Sequence, residues 1–227
     1  MGNRLTKSKQ RIMEQGEVFT PKKTVNCMLD KSEIKTMINS LTTTFLEPSA
    51  GEGAFLVELL KRKLRYAKLK YSDKKDLQNK FLQALSTLYG IELMEDNVKI
   101  LVMNMVITFR DMYLKTFGQE EQKSNVLESA KVIISANMIQ GDALTRKTAT
   151  GSPIIFSEWQ PINKNIVQRR EYTFDDIVEG KCSTGKIQKY YEQLNLLVNL
   201  ENEPDEPKTK KYIPVQWPDI YQQLKEA

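Results

Sequence analysis

Apolar residues recur along this chain with a period that changes, and each change marks an element. Val25, Met28 and Leu29 stand at helical spacing behind Phe19-Thr20-Pro21. Thr20 suits the N-cap of that helix and Pro21 its first turn. A short run, Thr44-Phe45-Leu46, then leads into an acid and a glycine turn, Glu47-Pro48-Ser49-Ala50-Gly51-Glu52-Gly53. From Ala54 to Leu69 the spacing is helical, with Phe55, Leu59, Leu60 and Leu64 on one face. A second helical stretch covers Lys75 to Leu88. Leu88-Tyr89-Gly90-Ile91-Glu92-Leu93 reads as a short strand that closes on an acid. Asp96 to Phe109 reads as a helix with Val98, Leu101, Val102, Met105, Val106 and Phe109 inward, its methionines serving as core filler. Beyond a polar stretch from Gly118 to Ser129, Lys131 to Leu144 reads as a third strand region ending in Gly141-Asp142-Ala143-Leu144.

The alternation then breaks. Residues 145–152 form a polar loop. Ile154-Ile155-Phe156 and Ile166-Val167 flank Gln160-Pro161-Ile162-Asn163-Lys164-Asn165, which predicts a β-hairpin. Lys189 to Leu200 reads as an amphipathic helix and Glu201 to Lys211 as a charged, proline-bearing linker. Tyr212 to Ala227 closes the chain, with Trp217 and Tyr221 as expected anchors. The pattern divides the chain into a polar segment over 1–17, an α/β unit over 18–150 and a hairpin-helix appendage over 151–227.

Composition narrows the chemistry. At 227 residues the chain suits one domain of ordinary size plus an appendage. No apolar run approaches the roughly 20 residues of a membrane span, and the basic start carries no apolar signal core. Cys27 and Cys182 are isolated, which suits reduced thiols in the cytoplasm and no structural metal. The sequence contains no histidine, which excludes Ser-His-Asp and Cys-His catalysis and an imidazole base. The net charge of +5 is a modest excess that suits a polyanion such as DNA. The basic cluster between Lys61 and Lys75, with Asp73 and Asp76 nearby, reads first as a solvated helix face and second as a DNA contact.

The glycine turn carries the most specific signal. Gly51 and Gly53 let the backbone turn sharply after a buried strand and let a ligand approach it. The spacing is neither that of a P-loop nor of the dinucleotide fingerprint. Glu47 would repel a phosphate but accept a hydrogen bond from a cationic amino group. The string Glu47-Pro48-Ser49-Ala50-Gly51-Glu52-Gly53-Ala54-Phe55 resembles the S-adenosylmethionine-binding motif of adenine-N6-specific DNA methyltransferases. Thr20, Pro21, Val25 and Met28 are similar to the segment that precedes this turn in the family and closes one side of the cofactor pocket, with Phe19 beside it. The resemblance implies that Glu47 faces the methionine half of S-adenosylmethionine. It implies that Glu92 accepts both ribose hydroxyls, and that Asp142 accepts the exocyclic amine of the adenine. A strand-end acid near solvent is expected to contribute little to stability.

The resemblance stops at Leu144. The family grips its target amine with an acid-or-amide-Pro-Pro-aromatic segment, and this sequence contains no Pro-Pro pair. Ser152-Pro153-Ile154-Ile155 lacks the second proline and the aromatic and is no substitute. The expected fold is therefore α/β, an incomplete Rossmann-like class I methyltransferase core with a C-terminal β-hairpin and helix. The expected function is that of a DNA adenine-N6 methyltransferase-like protein of a restriction-modification or mobile-element system. It would form one part of a split enzyme, with a second subunit or self-association supplying the rest. The alternative is a catalytically inactive binding or scaffold module. The hairpin is itself expected to cap the open edge of the sheet if no partner does.

Overall fold

The computed structural model describes residues 20–179 and 212–225. Expectations for Met1 to Phe19, Cys182, the helix at Lys189–Leu200 and the linker to Lys211 lie outside the described residues. The chain opens with α1 (Lys22–Leu29) and α2 (Ser32–Ile38), then β1 (Phe45–Glu47) and α3 (Ala54–Lys70). Pro21, not Thr20, stands next to the first helical residue, in an extended conformation with no side-chain cap. Its carbonyl accepts from the N–H groups of Thr24 and Val25, so the hydroxyl of Thr20 is one residue too far out to cap.

Next come α4 (Lys74–Leu85), β2 (Leu88–Glu92), α5 (Glu95–Phe117), a short 3-10 turn, α6 (Asn125–Asn137) and β3 (Met138–Gln140). The α4 helix starts where the Asp73 side chain accepts from the N–H of Asp76 at 2.8 Å. The α5 helix runs past Phe109 because Tyr113 and Leu114 continue its buried stripe. Along it Leu101, Met105 and Phe109 are buried, whereas Val98, Val102 and Val106 are half-buried.

The region after Lys131 departs from expectation. Lys131 to Asn137 is the second half of a helix, and the strand is only three residues long. The β-branched run Val132-Ile133-Ile134 favours a strand locally. Helical spacing of Val126, Leu127, Ala130, Ile133, Ile134 and Asn137 buries one continuous stripe instead, and Ser124 caps the start by accepting from Val126. Packing of the whole stripe outweighs the local preference.

The strands β1, β2 and β3 form a parallel sheet in that order, with β2 central. Alternation along β2 gives the sheet two faces. On one face a Cβ at Gly90 would meet Leu56 of α3 and Met138, so the helices lie there. The large core on this side gathers Leu56, Leu60, Leu64, Phe81, Leu85, Leu101, Met105 and Ile134. On the other face Tyr89 and Ile91 meet a hairpin.

That hairpin is β4 (Ile155–Pro161) paired antiparallel with β5 (Ile166–Thr173), where it was expected. Asn163 shapes its turn by accepting from the N–H groups of Asn165 and Ile166 at 2.9 Å each. Ile154 and Phe156 pack with Ile91, Phe174, Tyr89 and Ile139 as a second core. Tyr89 also donates its hydroxyl to the carbonyl of Ser157 at 3.2 Å. The hairpin thus covers a face of the parallel sheet and extends neither of its edges.

A helical turn, α7 (Phe174–Val178), follows β5, and the returning segment adds β6 (Val215–Gln216) to β5 and a 3-10 turn over Trp217–Gln222. Trp217 and Ile220 are buried in the large core. Ser129 on α6 fixes this turn, donating to the carbonyl of Pro218 and accepting from the N–H of Tyr221. The Tyr221 side chain is 37% exposed, so Ile220 is the second anchor in its place. Among the described residues no helix is long and apolar enough to cross a membrane.

Candidate functional site

The three parallel strands end together. Glu47 pairs with Gly90 and Glu92 with Gln140, so the turns after β1, β2 and β3 emerge at the same end of the sheet. The β1 turn is sewn onto β2, with the N–H of Ala50 donating to the carbonyl of Ile91 at 2.9 Å. The β3 turn is sewn on from the other side, with the N–H of Gly141 donating to the carbonyl of Glu92 at 3.0 Å.

Gly51 and Gly53 both have positive φ, 54° and 91°, a region that a side chain makes costly. Their surroundings differ. A Cβ on Gly53 would come within 2.6 Å of Leu101 on α5, so close helix packing requires a glycine there. A Cβ on Gly51 would meet nothing within 4 Å. Gly51 therefore presents bare backbone to an open space at the end of β1.

Glu92 organises the turn. Its Oε2 accepts from the N–H of Gly51 at 2.8 Å. Its Oε1 accepts from the N–H of Met94 at 3.0 Å and from Nδ2 of Asn97 at 3.2 Å. The residue is only 7% exposed, so the expectation of a solvent-side acid with little structural weight is corrected. A carboxylate offers about four acceptor directions, and three are occupied.

Glu47 is half-buried, and burial raises its carboxyl above the usual range, against a long contact from the N–H of Ser49. Asp142 is more exposed. Its Oδ1 accepts from the N–H of Leu144 at 2.8 Å, which holds the carboxyl below the usual range with help from Thr145. The loop beyond it returns through Lys147, whose carbonyl accepts from the N–H of Asp142 at 2.9 Å.

The fold thus brings Glu47, Pro48, Ala50, Gly51, Gly53, Glu92 and Asp142 to one end of the sheet. Phe55 lies half-buried against the large core at the start of α3. Thr20 and Pro21 enter α1, which is anchored on α3 where Arg62 reaches Asn26 and Asp30. No hydrogen bond among the described residues ties Thr20 or Pro21 to the glycine turn.

Two residues absent from the sequence reading support the site. Asn97 is 1% exposed and Asn104 donates its Nδ2 to the carbonyl of Glu52 at 2.9 Å. With Leu101 they form one face of α5, aimed at the glycine turn. Their signal in the sequence is two asparagines seven residues apart, bracketing a buried leucine. Besides these two, Lys63 lies in the basic cluster expected to be solvated and is fully buried instead. It donates to the carbonyls of Ser40 at 2.6 Å and Thr43 at 3.0 Å, and lies 5.3 Å from the Phe45 ring centroid. Burial lowers its ammonium to about 8. Lys63 thereby ties down the loop that delivers the chain into β1.

The donors and acceptors at the sheet end are carboxylates and backbone amides, suited to hydroxyl, amine and ammonium groups. Among the described residues no cluster of three His, Cys, Asp or Glu side chains stands ready for a metal ion. The chain is a mixed α/β protein whose parallel sheet of three strands carries a glycine turn at its carboxyl end. Set against models of protein families, curated proteins and solved structures, it matches none.

Proposed function

We propose that this chain is the S-adenosylmethionine-binding part of a DNA adenine-N6 methyltransferase-like protein, with a Rossmann-like half-fold, in a restriction-modification or mobile-element system. The observation that carries the reading is Gly51. It holds a positive φ at the carboxyl end of β1 and opens on empty space, with the acid of the next strand bound to its N–H. Open parallel sheets bind nucleotide-like ligands at this place.

The chain's own groups fit the cofactor in part. Glu47, a half-buried acid, suits the ammonium of the methionine half, because an adjacent positive charge favours the ionised carboxylate that burial opposes. Glu92 retains one acceptor direction on Oε2, enough for one ribose hydroxyl while Gly51 holds the other. Asp142 suits the adenine amine. When bound, the cofactor supplies an electrophilic methyl group. No Pro-Pro-aromatic segment exists in residues 1–227 to hold a target amine against it, and the split-enzyme reading puts that segment elsewhere.

Titration calorimetry with S-adenosylmethionine and its demethylated product tests the reading. The isolated chain should bind about micromolar or more weakly, roughly 8 kcal/mol at best, because Gly51, Met94 and Asn97 already take up most of the acceptor capacity of Glu92. Gly51→Leu should abolish the heat. Silence from the wild type at millimolar ligand refutes the site. A second reading, an inactive scaffold, is favoured by one observation: Glu92 is already satisfied internally by Gly51, Met94 and Asn97. The same titration separates the two.

A further inference from the structure

We infer that the outer face of α5 is the interface of a homodimer, in which a second copy of this chain lays its own α5 across it in the opposite direction. Six residues form one ridge of this helix at four-residue spacing: Glu95, Lys99, Met103, Ile107, Asp111 and Lys115. All six are exposed. Residues four apart are neighbours on a helix surface, so the ridge is continuous. Its order is acid, base, two apolar residues, acid, base. The other faces of α5 are occupied within the chain. Leu101 meets the turn at Gly53, Asn104 reaches the carbonyl of Glu52, and Phe109 lies in the large core.

The centre of the ridge is apolar. Met103 is 52% exposed and Ile107 is 47% exposed. Val102 and Val106, on the neighbouring ridge, are half-buried beside them. The groove between the two ridges is therefore apolar through its middle. Val106 also lines a hollow of about 80 Å³ between α5 and α6, with Phe109 and Ile134. An apolar centre with charged residues at both ends is the layout of a protein interface.

The charges select the occupant. About a two-fold axis midway between Met103 and Ile107, each Met103 meets the partner's Ile107 and each Lys99 meets the partner's Asp111. Glu95 and Lys115, further out, follow the same rule. A parallel arrangement would set every charge against its own copy. The ridge is thus its own complement when read backwards, which is what an isologous two-fold contact requires. Ridges of four-residue spacing interlock when helix axes cross at about 50°. Each Met103-Ile107 ridge then lies in the apolar groove of the other copy. Lys99 already bonds Glu95 at 2.6 Å, but that pair is open to solvent and leaves the ammonium able to make a second contact. Asp111 and Lys115 form no ion pair among the described residues. The pairing needs neither the cofactor nor a catalytic subunit.

Sedimentation velocity of the full chain, from micromolar to near-millimolar concentration at low ionic strength, is the test. A single helix crossing is a small contact, so the wild type should pass from monomer to dimer within that range. Ile107→Glu changes an exposed side chain, so it should keep the wild-type melting temperature and weaken the dimer about tenfold or more. Lys99→Glu sets acid against acid across the axis, and Asp111→Lys sets base against base. Each should weaken self-association about tenfold. An equimolar mixture of these two variants restores both opposite-charge contacts and should dimerise as the wild type does. A defect in folding is not cured by mixing two defective proteins. A wild type that stays monomeric throughout overturns the inference. So does a dimer that Ile107→Glu leaves intact, or a mixture that associates no better than either variant alone.

Discussion

The main-chain N–H of Gly51 donates to Oε2 of Glu92 across 2.8 Å, tying the turn after β1 to the acid that ends β2. One carboxylate thus shapes the turn and remains at the rim of the space the turn opens on. The structural role of this pair is where the proposed cofactor role would also fall, and that sets what a mutation there does.

Glu92→Ala should destabilise the protein by about 1–3 kcal/mol, because it leaves the half-buried N–H groups of Gly51 and Met94 and the buried amide of Asn97 without their acceptor. Urea unfolding measures this. Cofactor affinity should fall as well, since the glycine turn loses its tether. A variant with an unchanged urea midpoint would show that the tether carries no weight.

Gly51→Ala and Gly53→Ala should separate two kinds of glycine. At Gly51 only the positive φ opposes a side chain, so the loss should be about 1–2 kcal/mol. At Gly53 the new Cβ also meets Leu101 at 2.6 Å, and the loss should be larger. Thermal melts of the two variants give the order. Equal losses would mean that α5 yields without resistance.

Stability should rise between pH 7 and pH 9.5 because of Lys63. Its ammonium titrates at about 8 in the folded protein, below its unfolded value. At pH 7 the buried charge opposes folding in full. Above pH 8 the folded state sheds the proton while the unfolded state keeps it, so stability increases until both are neutral above pH 10.5. The gain should be about 2 kcal/mol by pH 9.5, and Lys63→Met should flatten the profile. Tyr113 and Tyr212, pushed up to about 12 chiefly by burial, act in the opposite sense only above pH 10, where unfolded tyrosine ionises first. A wild-type stability that falls over pH 7–9.5 while Lys63→Met stays level would contradict the assignment.

Trp217→Ala should cost about 3–5 kcal/mol, the usual range for emptying a buried aromatic site. The Trp217 side chain is buried in the large core at 2% exposure, while its main-chain N–H, which the substitution keeps, donates to the carbonyl of Asn165 in the hairpin turn. Differential scanning calorimetry reads the loss. A small effect would mean that the segment over Tyr212–Lys225 is dispensable to the core.

The sequence by itself determined those parts of the protein whose cause is local. The strand-glycine-helix order from Phe45 to Lys70, the strand ending at Glu92 and the hairpin with its Asn163 turn follow from residue period and turn chemistry, which act over a few positions. Tertiary structure decided the rest. Val132, Ile133 and Ile134 joined a helix because a stripe from Val126 to Asn137 needed burial against the other helices. Lys63 left the solvated face of α3 because two carbonyls and an aromatic ring, some twenty residues earlier, form its socket. Asn97 and Asn104 became supports of the glycine turn because α5 crosses it. The hairpin came to rest on the face of Tyr89 and Ile91 and extends neither edge of the parallel sheet. Each of these depends on contacts between segments distant in the chain, and residue period along one segment does not encode them.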